Sequence, residues 1–212
     1  MKQYLVAALL SGSLLIAGCQ EGIVVSESSD DEVKQTPEEV IWEIEATGEI
    51  TDRQAEILGS LNKVTLDGLT SITDGQAESL GNVHSLRLNG LTSITDAQAE
   101  SFGRTQELSL QGLTSISDSQ AKSLSNLELL FLDSLNTLSD SQAESLSTLR
   151  ILRLGKVRSI TDAQAESLSR VRDLVFIGLN TISDKQAEIL SRSESVGVPR
   201  NIKEEIKKYK NT

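Results

Sequence analysis

Aromatic residues, histidine and cysteine are all scarce in this sequence, and each shortage excludes something. Aromatic side chains make up 3% of the 212 residues, although such rings usually supply much of the buried area of a globular core. One histidine and one cysteine leave little from which to build the convergent acids, bases and nucleophiles of an active site. One cysteine also cannot form an internal disulfide. We therefore expect no enzyme, no cofactor and no bound metal.

Positive charge is scarce as well, since 31 acidic residues outnumber 20 basic ones and the net charge is −11. A nucleic-acid-binding protein needs lysine and arginine to displace the counterions of the phosphates, so this balance argues against nucleic acid as a partner. A negative surface favours solubility, and we expect a monomer. The single histidine, His84, stands at a variable position of the repeat described below, and we interpret it as a surface residue.

The N-terminus has the features of a bacterial export signal. Residues 5–17 are mostly apolar, which is too short a run for a membrane-spanning helix of about 20 residues and typical of a signal peptide. The run ends in Ile16-Ala17-Gly18-Cys19, which resembles a lipobox, the motif whose cysteine is lipidated and becomes the mature N-terminus. The resemblance implies a signal peptide over residues 1–18 and a lipid anchor on Cys19. The alternative is an ordinary signal peptide with an unrelated cysteine.

The residues after this motif indicate in which membrane the protein is anchored and where its folded part begins. Gln20 stands where an Asp would retain such a lipoprotein at the inner membrane, so the resemblance favours the outer membrane of the cell envelope in a host that has one. Residues 19–38 are polar and acidic, and a segment of that composition cannot bury enough apolar surface to fold alone. We interpret them as a flexible tether that carries the lipidated cysteine.

A 22-residue unit recurs about seven times within residues 39–199, beginning at Ile50, Ile72, Ile94, Ile116, Leu138, Ile160 and Ile182. A constant period of this length is typical of a solenoid, in which each unit packs only against its neighbours. The second half of the unit alternates: Leu86 and Leu88 share one face, and the polar residues between and beside them share the other. This pattern predicts a short strand with one buried face.

Extrapolating the strand pattern by one period in each direction predicts about eight parallel strands. The outermost would carry Trp42 with Ile44 and Val196 with Val198. Trp42 would then be a large cap over the first layer of the core.

The first half of each unit predicts a short helix, because a Thr or Ser is followed three residues later by a Gln, as in Thr73 and Gln76. This is the spacing of a capping box, in which the two side chains bind free amides at the helix start. An Asp follows the Thr or Ser in every unit, where the helix dipole favours negative charge. A calcium site is the alternative for this column, but calcium needs six to eight oxygens at one point, and one Asp per unit does not supply them.

Parallel strands lie about 4.8 Å apart and packed helices about 8–10 Å apart, so such a stack bends with its strands on the concave face and its helices on the convex face. The predicted fold class is an α/β solenoid. The Leu-x-Leu strand and the Leu91-Thr92-Ser93-Ile94 that follows it resemble the leucine-rich repeats of bacterial surface proteins. The resemblance implies binding of a protein or a glycan. Leu91 stands where the common repeat has an Asn, so the usual Asn ladder is absent.

Function is expected at the outward-facing strand positions, because the inward-facing ones are nearly uniform. The early strands are polar there, whereas the later ones carry Leu129, Phe131, Ile151, Val175 and Ile177, with Arg153 among them. Exposed apolar groups of this kind indicate a contact site for a partner, and Arg153 is suited to binding a carboxylate. The alternatives are that a terminal segment covers these residues or that the register slips there.

Residues 200–212 combine an apolar stripe of Ile202, Ile206 and Tyr209 with several lysines. We predict a basic helix that caps the last unit, and the alternative is a second anchor on lipid or on an anionic polymer. The predicted function is that of a non-enzymatic envelope lipoprotein that presents a repeat surface to a protein or glycan partner. A structural component of the envelope without a specific soluble ligand is the alternative.

Overall fold

The computed structural model describes residues 35–210. The predicted signal peptide, Cys19 and most of the predicted tether lie outside the described residues. The helices are α1 (Pro37–Thr47), α2 (Asp52–Gly59), α3 (Asp74–Leu80), α4 (Asp96–Phe102), α5 (Asp118–Ser123), α6 (Asp140–Leu146), α7 (Asp162–Leu168), α8 (Asp184–Ser191) and α9 (Arg200–Lys207). The strands are β1 (Lys63–Thr65), β2 (Ser85–Arg87), β3 (Glu107–Ser109), β4 (Leu129–Leu132), β5 (Ile151–Leu154), β6 (Asp173–Phe176) and β7 (Ser195–Gly197).

The 7 strands of the described residues form one parallel sheet in chain order, from β1 to β7. Each strand pairs with the next at an offset of one repeat, so that Leu86 lies beside Leu108 and Leu130 beside Leu152. The inward leucines therefore form continuous buried columns. Each of the helices α2 to α8 packs against the next on the other side of this core. The predicted α/β solenoid is confirmed.

The helix starts show how the repeated Thr or Ser and Gln act together. In each of α2 to α8 the hydroxyl accepts from the amide of the Gln, and the Gln carbonyl accepts from the amide of the Thr or Ser. In α4 both distances, between Gln98 N and Thr95 Oγ1 and between Thr95 N and Gln98 Oε1, are 3.0 Å. The predicted capping boxes are confirmed.

The same Gln side chains also join neighbouring units, a role that the capping-box spacing alone does not predict. Gln98 Nε2 donates to the carbonyl oxygen of Ile72, one unit earlier, at 2.8 Å. Equivalent bonds are made by Gln76, Gln120, Gln142, Gln164 and Gln186. This column, which we call the Gln ladder, links each unit to the one before it.

The N-terminal end of the solenoid differs from its prediction. Residues around Trp42 and Ile44 form helix α1 and not a strand, so the predicted eighth strand is wrong, and α1 begins inside the predicted tether. Thr36 and Glu39 form a capping box around Pro37, a residue that is well tolerated in the first turn of a helix. These start signals determine the structure of a segment that lies outside the repeat.

Helix α1 buries Val40 and Ile44 against the first unit and leaves Trp42 74% exposed. The prediction that Trp42 caps the core is therefore wrong. Residues four apart share one face of a helix, whereas residues two apart share one face of a strand. Ile44 is two residues from Trp42, as on one face of a strand, and four residues from Val40, as on one face of a helix. The helical pair is the one that is buried.

The C-terminal end is closed by a second helix. Strand β7 pairs with β6 and places Val196 beside Leu174. Helix α9 buries Ile202 and Ile206 and packs against α8. Partial burial and the nearby Asp184 carboxylate raise the pKa of the Tyr209 phenol above its ordinary value. The tail thus completes the helix side of the last unit.

Candidate binding surface on the strand face

We call one surface of the solenoid the strand face. It consists of the side chains of β1–β7 that point away from the core and of the residue that directly follows each strand. It contains two columns in register. One consists of Lys63, Ser85, Glu107, Leu129, Ile151, Asp173 and Ser195. The other consists of Thr65, Arg87, Ser109, Phe131, Arg153, Val175 and Gly197. Residues far apart in the chain thereby become lateral neighbours.

The structure brings the predicted apolar residues together. Leu129 lies beside Ile151, and Arg153 lies between Phe131 and Val175. We call Leu129, Phe131, Ile151, Val175 and Ile177 the apolar cluster. Its first four members are half-buried, and Ile177 is 49% exposed.

Within residues 35–210, the geometry agrees neither with a slip of register nor with cover by the C-terminal helix. The pairing of β4, β5 and β6 continues at one repeat per strand without a slip of register. Helix α9 packs against α8, on the helix side of the stack. The apolar cluster therefore lies on the accessible face of the described residues, next to polar strands.

Arg153 is held in place by two neighbours. Its Nε donates to Asp133 Oδ1 at 2.9 Å, and its guanidinium carbon lies 5.9 Å from the centre of the Phe131 ring. A cation over an aromatic face is attracted by the electron density of the ring. Arg153 was predicted to bind a carboxylate of a partner, and the structure shows that an internal carboxylate already occupies its Nε. Its other guanidinium N–H groups are the donors left for a partner, and its side chain is 41% exposed.

Asp133 is a neighbour of Arg153 that the sequence pattern did not predict. It follows β4 and its Arg lies on β5, 20 residues further along the chain. A signal for this pair did exist, because the same two residue types recur at the same offset in Asp67 and Arg87. Those residues are joined at 3.0 Å between Nε and Oδ1 and at 2.9 Å between Nη2 and Oδ2.

A shallow groove of ≈ 350 Å³ runs along the strand face from Lys63 on β1 to Arg153 on β5. Lys63, Arg87 and Glu107 line its polar end, and Leu129 and Phe131 line its apolar end. The groove therefore has charged hydrogen-bonding groups at one end and apolar side chains at the other.

The Asp column makes internal hydrogen bonds. Asp74 Oδ1 accepts from the hydroxyl of Thr95 in the next unit at 2.8 Å, and Asp96, Asp118 and Asp140 accept from the equivalent hydroxyls. Within residues 35–210, no group of three or more His, Cys, Asp or Glu side chains is placed to hold a metal ion. The column thus acts between units of the solenoid.

Asp162 belongs to the same column but accepts from different groups. Lys185 Nζ lies 2.9 Å from Asp162 Oδ2, and Gln186 Nε2 donates to Asp162 Oδ1 at 3.0 Å. The hydrogen bond from Lys185 is the largest cause that holds the pKa of this carboxyl below its ordinary value. His84, by contrast, is exposed and lies beside the strand face, where its backbone carbonyl accepts from Gln106 and Glu107.

The comparisons with known proteins concern the fold alone. No protein-family model matches the sequence, and no curated protein matches it. Among solved structures, the chain is similar to an internalin (inlF) from Listeria monocytogenes, with a TM-score of 0.51 and 16% identity over 79% of this chain. The similarity spans 52% of the internalin chain, about half its length. The structure thus has a leucine-rich-repeat-like fold. No helix among residues 35–210 has the length and apolar character needed to cross a membrane.

Proposed function

We propose that this protein is a non-enzymatic lipoprotein of the cell envelope, anchored through Cys19, whose strand face binds a protein partner. The apolar cluster carries this proposal. Side chains that point away from the core of a solenoid are normally polar, and the equivalent positions of β1 and β2 are polar here. An accessible group of apolar side chains costs solubility, and it is typical of an interaction site.

The surroundings of the cluster favour a protein over a glycan. Leu129, Ile151, Val175 and Ile177 are aliphatic, and they offer no hydrogen bond to a sugar hydroxyl. Arg153, fixed by Asp133 and Phe131, adds one oriented cation at the centre of an apolar surface. Arginine and aromatic residues inside an apolar patch are characteristic of protein interfaces.

The proposed surface is tested by capture on intact cells, with a photocrosslinker placed on the strand face. Phe131→Asp and Val175→Asp each put a charge into the apolar cluster, and we expect either to reduce crosslinking about tenfold or more. Ser119→Asp is the matched control, because it puts the same charge at an exposed position on helix α5, away from the strand face. Equal crosslinking in Phe131→Asp and Ser119→Asp would contradict the proposal. If no variant and no parent chain captures a partner, a structural role in the envelope replaces it.

The anchor is tested separately by mass spectrometry of the mature N-terminus. We expect an acylated Cys19 as the first residue and a chain that fractionates with membranes. Cys19→Ser should release the protein from membranes without changing its circular dichroism. An unmodified Cys19, or cleavage at another site, would overturn the lipoprotein part of the proposal and leave the strand-face part standing.

A further inference from the structure

The N-terminal end of the solenoid exposes a tryptophan among acidic residues. Helix α1 contains four glutamates and no basic residue in its sequence PEEVIWEIEAT. Glu38 and Glu45 lie four and three residues from Trp42, and side chains at these spacings share a helix face. Trp42 is 74% exposed because Val40 and Ile44 are the residues that pack on the first unit.

The C-terminal end has the opposite charge. Helix α9 and the residues after it carry Arg200, Lys203, Lys207, Lys208 and Lys210 against two glutamates. Those glutamates are engaged locally, Glu204 with Lys207 at 2.9 Å and Glu205 with Lys208. Arg200, Lys203 and Lys210 are exposed and remain as the net positive charge of this end.

The charge of the whole described chain follows the same polarity. Residues 35–112 contain 13 acidic and 4 basic residues, whereas residues 113–210 contain 13 acidic and 14 basic residues. Two copies that meet through their acidic ends repel each other, and a copy that meets the opposite end of another is attracted.

We propose that the acidic end of one copy, centred on Trp42 and Glu38, docks on the basic end of a second copy, formed by Arg200, Lys203 and Lys210. Tryptophan is the strongest aromatic partner for a cation and is enriched in the centres of protein interfaces. The contact joins two different surfaces, so it repeats from copy to copy and produces assemblies larger than a dimer, either open chains or closed rings. The contact involves neither the strand face nor the lipid anchor. It predicts association of copies, whereas a monomer was expected from the sequence.

A membrane surface is the competing occupant for Trp42, because tryptophan also favours the membrane interface. The acidic surroundings of Trp42 disfavour it, since the glutamates of α1 are repelled by anionic headgroups. A second copy supplies what this end lacks, which is positive charge.

Trp42 is the only tryptophan of the chain, so its fluorescence reports on this end alone. Every described helix and strand lies in the compact unit of residues 35–212, so a chain of residues 20–212 keeps the whole folded unit without the predicted signal and anchor. We expect its mean mass in analytical ultracentrifugation to rise with concentration while the Trp42 emission moves to shorter wavelength. Salt should reverse both effects, because it screens exposed charges.

Mixing two variants separates a head-to-tail contact from other association. Trp42→Ser disables the acidic end, and Lys203→Glu with Lys210→Glu disables the basic end. Each variant alone should be monomeric, whereas an equal mixture should form dimers and nothing larger, because it retains one intact end of each kind. Lys122→Glu with Arg170→Glu makes the same charge change at exposed positions away from both ends, and it should associate like the parent. The changed side chains are exposed, so circular dichroism should be the same for all variants.

Three results would overturn the proposal. One is a parent chain that stays monomeric at all concentrations. Another is failure of the mixing test. It fails if Trp42→Ser alone or the Lys203→Glu, Lys210→Glu variant alone associates as strongly as the parent, or if their mixture does not dimerise. The third is a shift of Trp42 emission on adding phosphatidylglycerol vesicles but not on raising the protein concentration, which would make a membrane the occupant.

Discussion

The two halves of the solenoid share one repeat but differ in strand length, strand face and helix packing. Strands β1 to β3 have three residues and a polar outer face, whereas β4 to β6 have four residues and carry the apolar cluster. The helix ends differ as well. The first three units have Gly59, Gly81 and Gly103 where the later ones have Ser125, Ser147, Ser169 and Ser191. The buried core columns are the same in both halves. The outer strand positions and the helix ends differ, because changes there do not disrupt the core.

The glycines are explained by close approach of neighbouring helix ends. A Cβ on Gly81 would lie 2.4 Å from the carbonyl oxygen of Ser101, and one on Gly103 would lie 2.2 Å from that of Ser123. The serines of the later units accommodate a Cβ at the same position, so the backbone around them must be arranged less tightly. The change occurs where α5 ends at Ser123 and continues as a 3-10 turn, Leu124–Asn126.

The largest predicted effect tests this difference in packing. Gly103→Ala forces a carbonyl and a methyl group apart in a packed region, and we expect a loss of about 3 kcal/mol in the free energy of unfolding. Ser169→Ala, at the equivalent position of a later unit, loses only the bond of its hydroxyl to the Glu166 carbonyl and should cost about 0.5 kcal/mol. Urea unfolding of both variants measures the contrast. Equal losses would show that the halves are packed alike.

The Gln ladder provides the next test, because its members are buried unequally. Gln76, Gln98 and Gln164 are buried, whereas Gln120, Gln142 and Gln186 are only partly buried. Removing a buried side chain leaves the Ile carbonyl of the previous unit and the cap amide without partners, and water replaces them poorly there. We expect Gln98→Ala to cost about 2 kcal/mol and Gln142→Ala about 1 kcal/mol in urea unfolding. A larger loss for Gln142→Ala would contradict this ranking.

The two Arg–Asp pairs allow a comparison on the strand face itself. The side chains of Arg153 and Asp133 are 41% and 20% exposed, and those of Arg87 and Asp67 are 51% and 36% exposed. Exposed ion pairs contribute little because water and salt screen them. Double-mutant cycles with alanine should give a coupling of about 1 kcal/mol for the first pair and about 0.3 kcal/mol for the second. Equal couplings would mean that Phe131 does not help to hold Arg153.

The repeat was predictable because the same local signals occur in every unit. A Leu-x-Leu alternation and a Thr-to-Gln spacing are weak evidence once but strong evidence at a constant period. Helix α1 occurs once, outside the repeat, so the extrapolated period competed with its own start signals at Thr36 and Glu39. The start signals at Thr36 and Glu39 determine the structure there, and the period does not extend to this segment.

The candidate site was predictable in position but not in detail. Alternation within each strand assigns the apolar cluster to the outward face, whereas the bond between Arg153 and Asp133 requires knowledge of which strands are neighbours. The second role of the Gln ladder is missing for the same reason, because Gln98 and Ile72 are 26 residues apart. Hydrogen bonds between units depend on which side chains the register brings together, so the sequence predicts the stacking of the strands but not these bonds.

The smallest predicted effect concerns the one position of the Asp column that is paired with a lysine. Lys185 stands where the five preceding units have Gly75, Ala97, Ser119, Ser141 and Ala163. Of these six units, only the last therefore places a lysine beside the Asp of the previous unit. The pair holds the pKa of Asp162 below its ordinary value of 3.8. Because the folded pKa is the lower one, the stabilisation is present at pH values above 3.8 and is lost as the pH falls through the folded pKa. Lys185→Met should therefore raise the pKa of Asp162 in a carboxyl NMR titration and flatten the acid limb of the stability curve. Lys156→Met, a control at an exposed lysine of the same half, should leave both unchanged, and an unmoved Asp162 titration in Lys185→Met would show that Gln186 alone lowers the pKa.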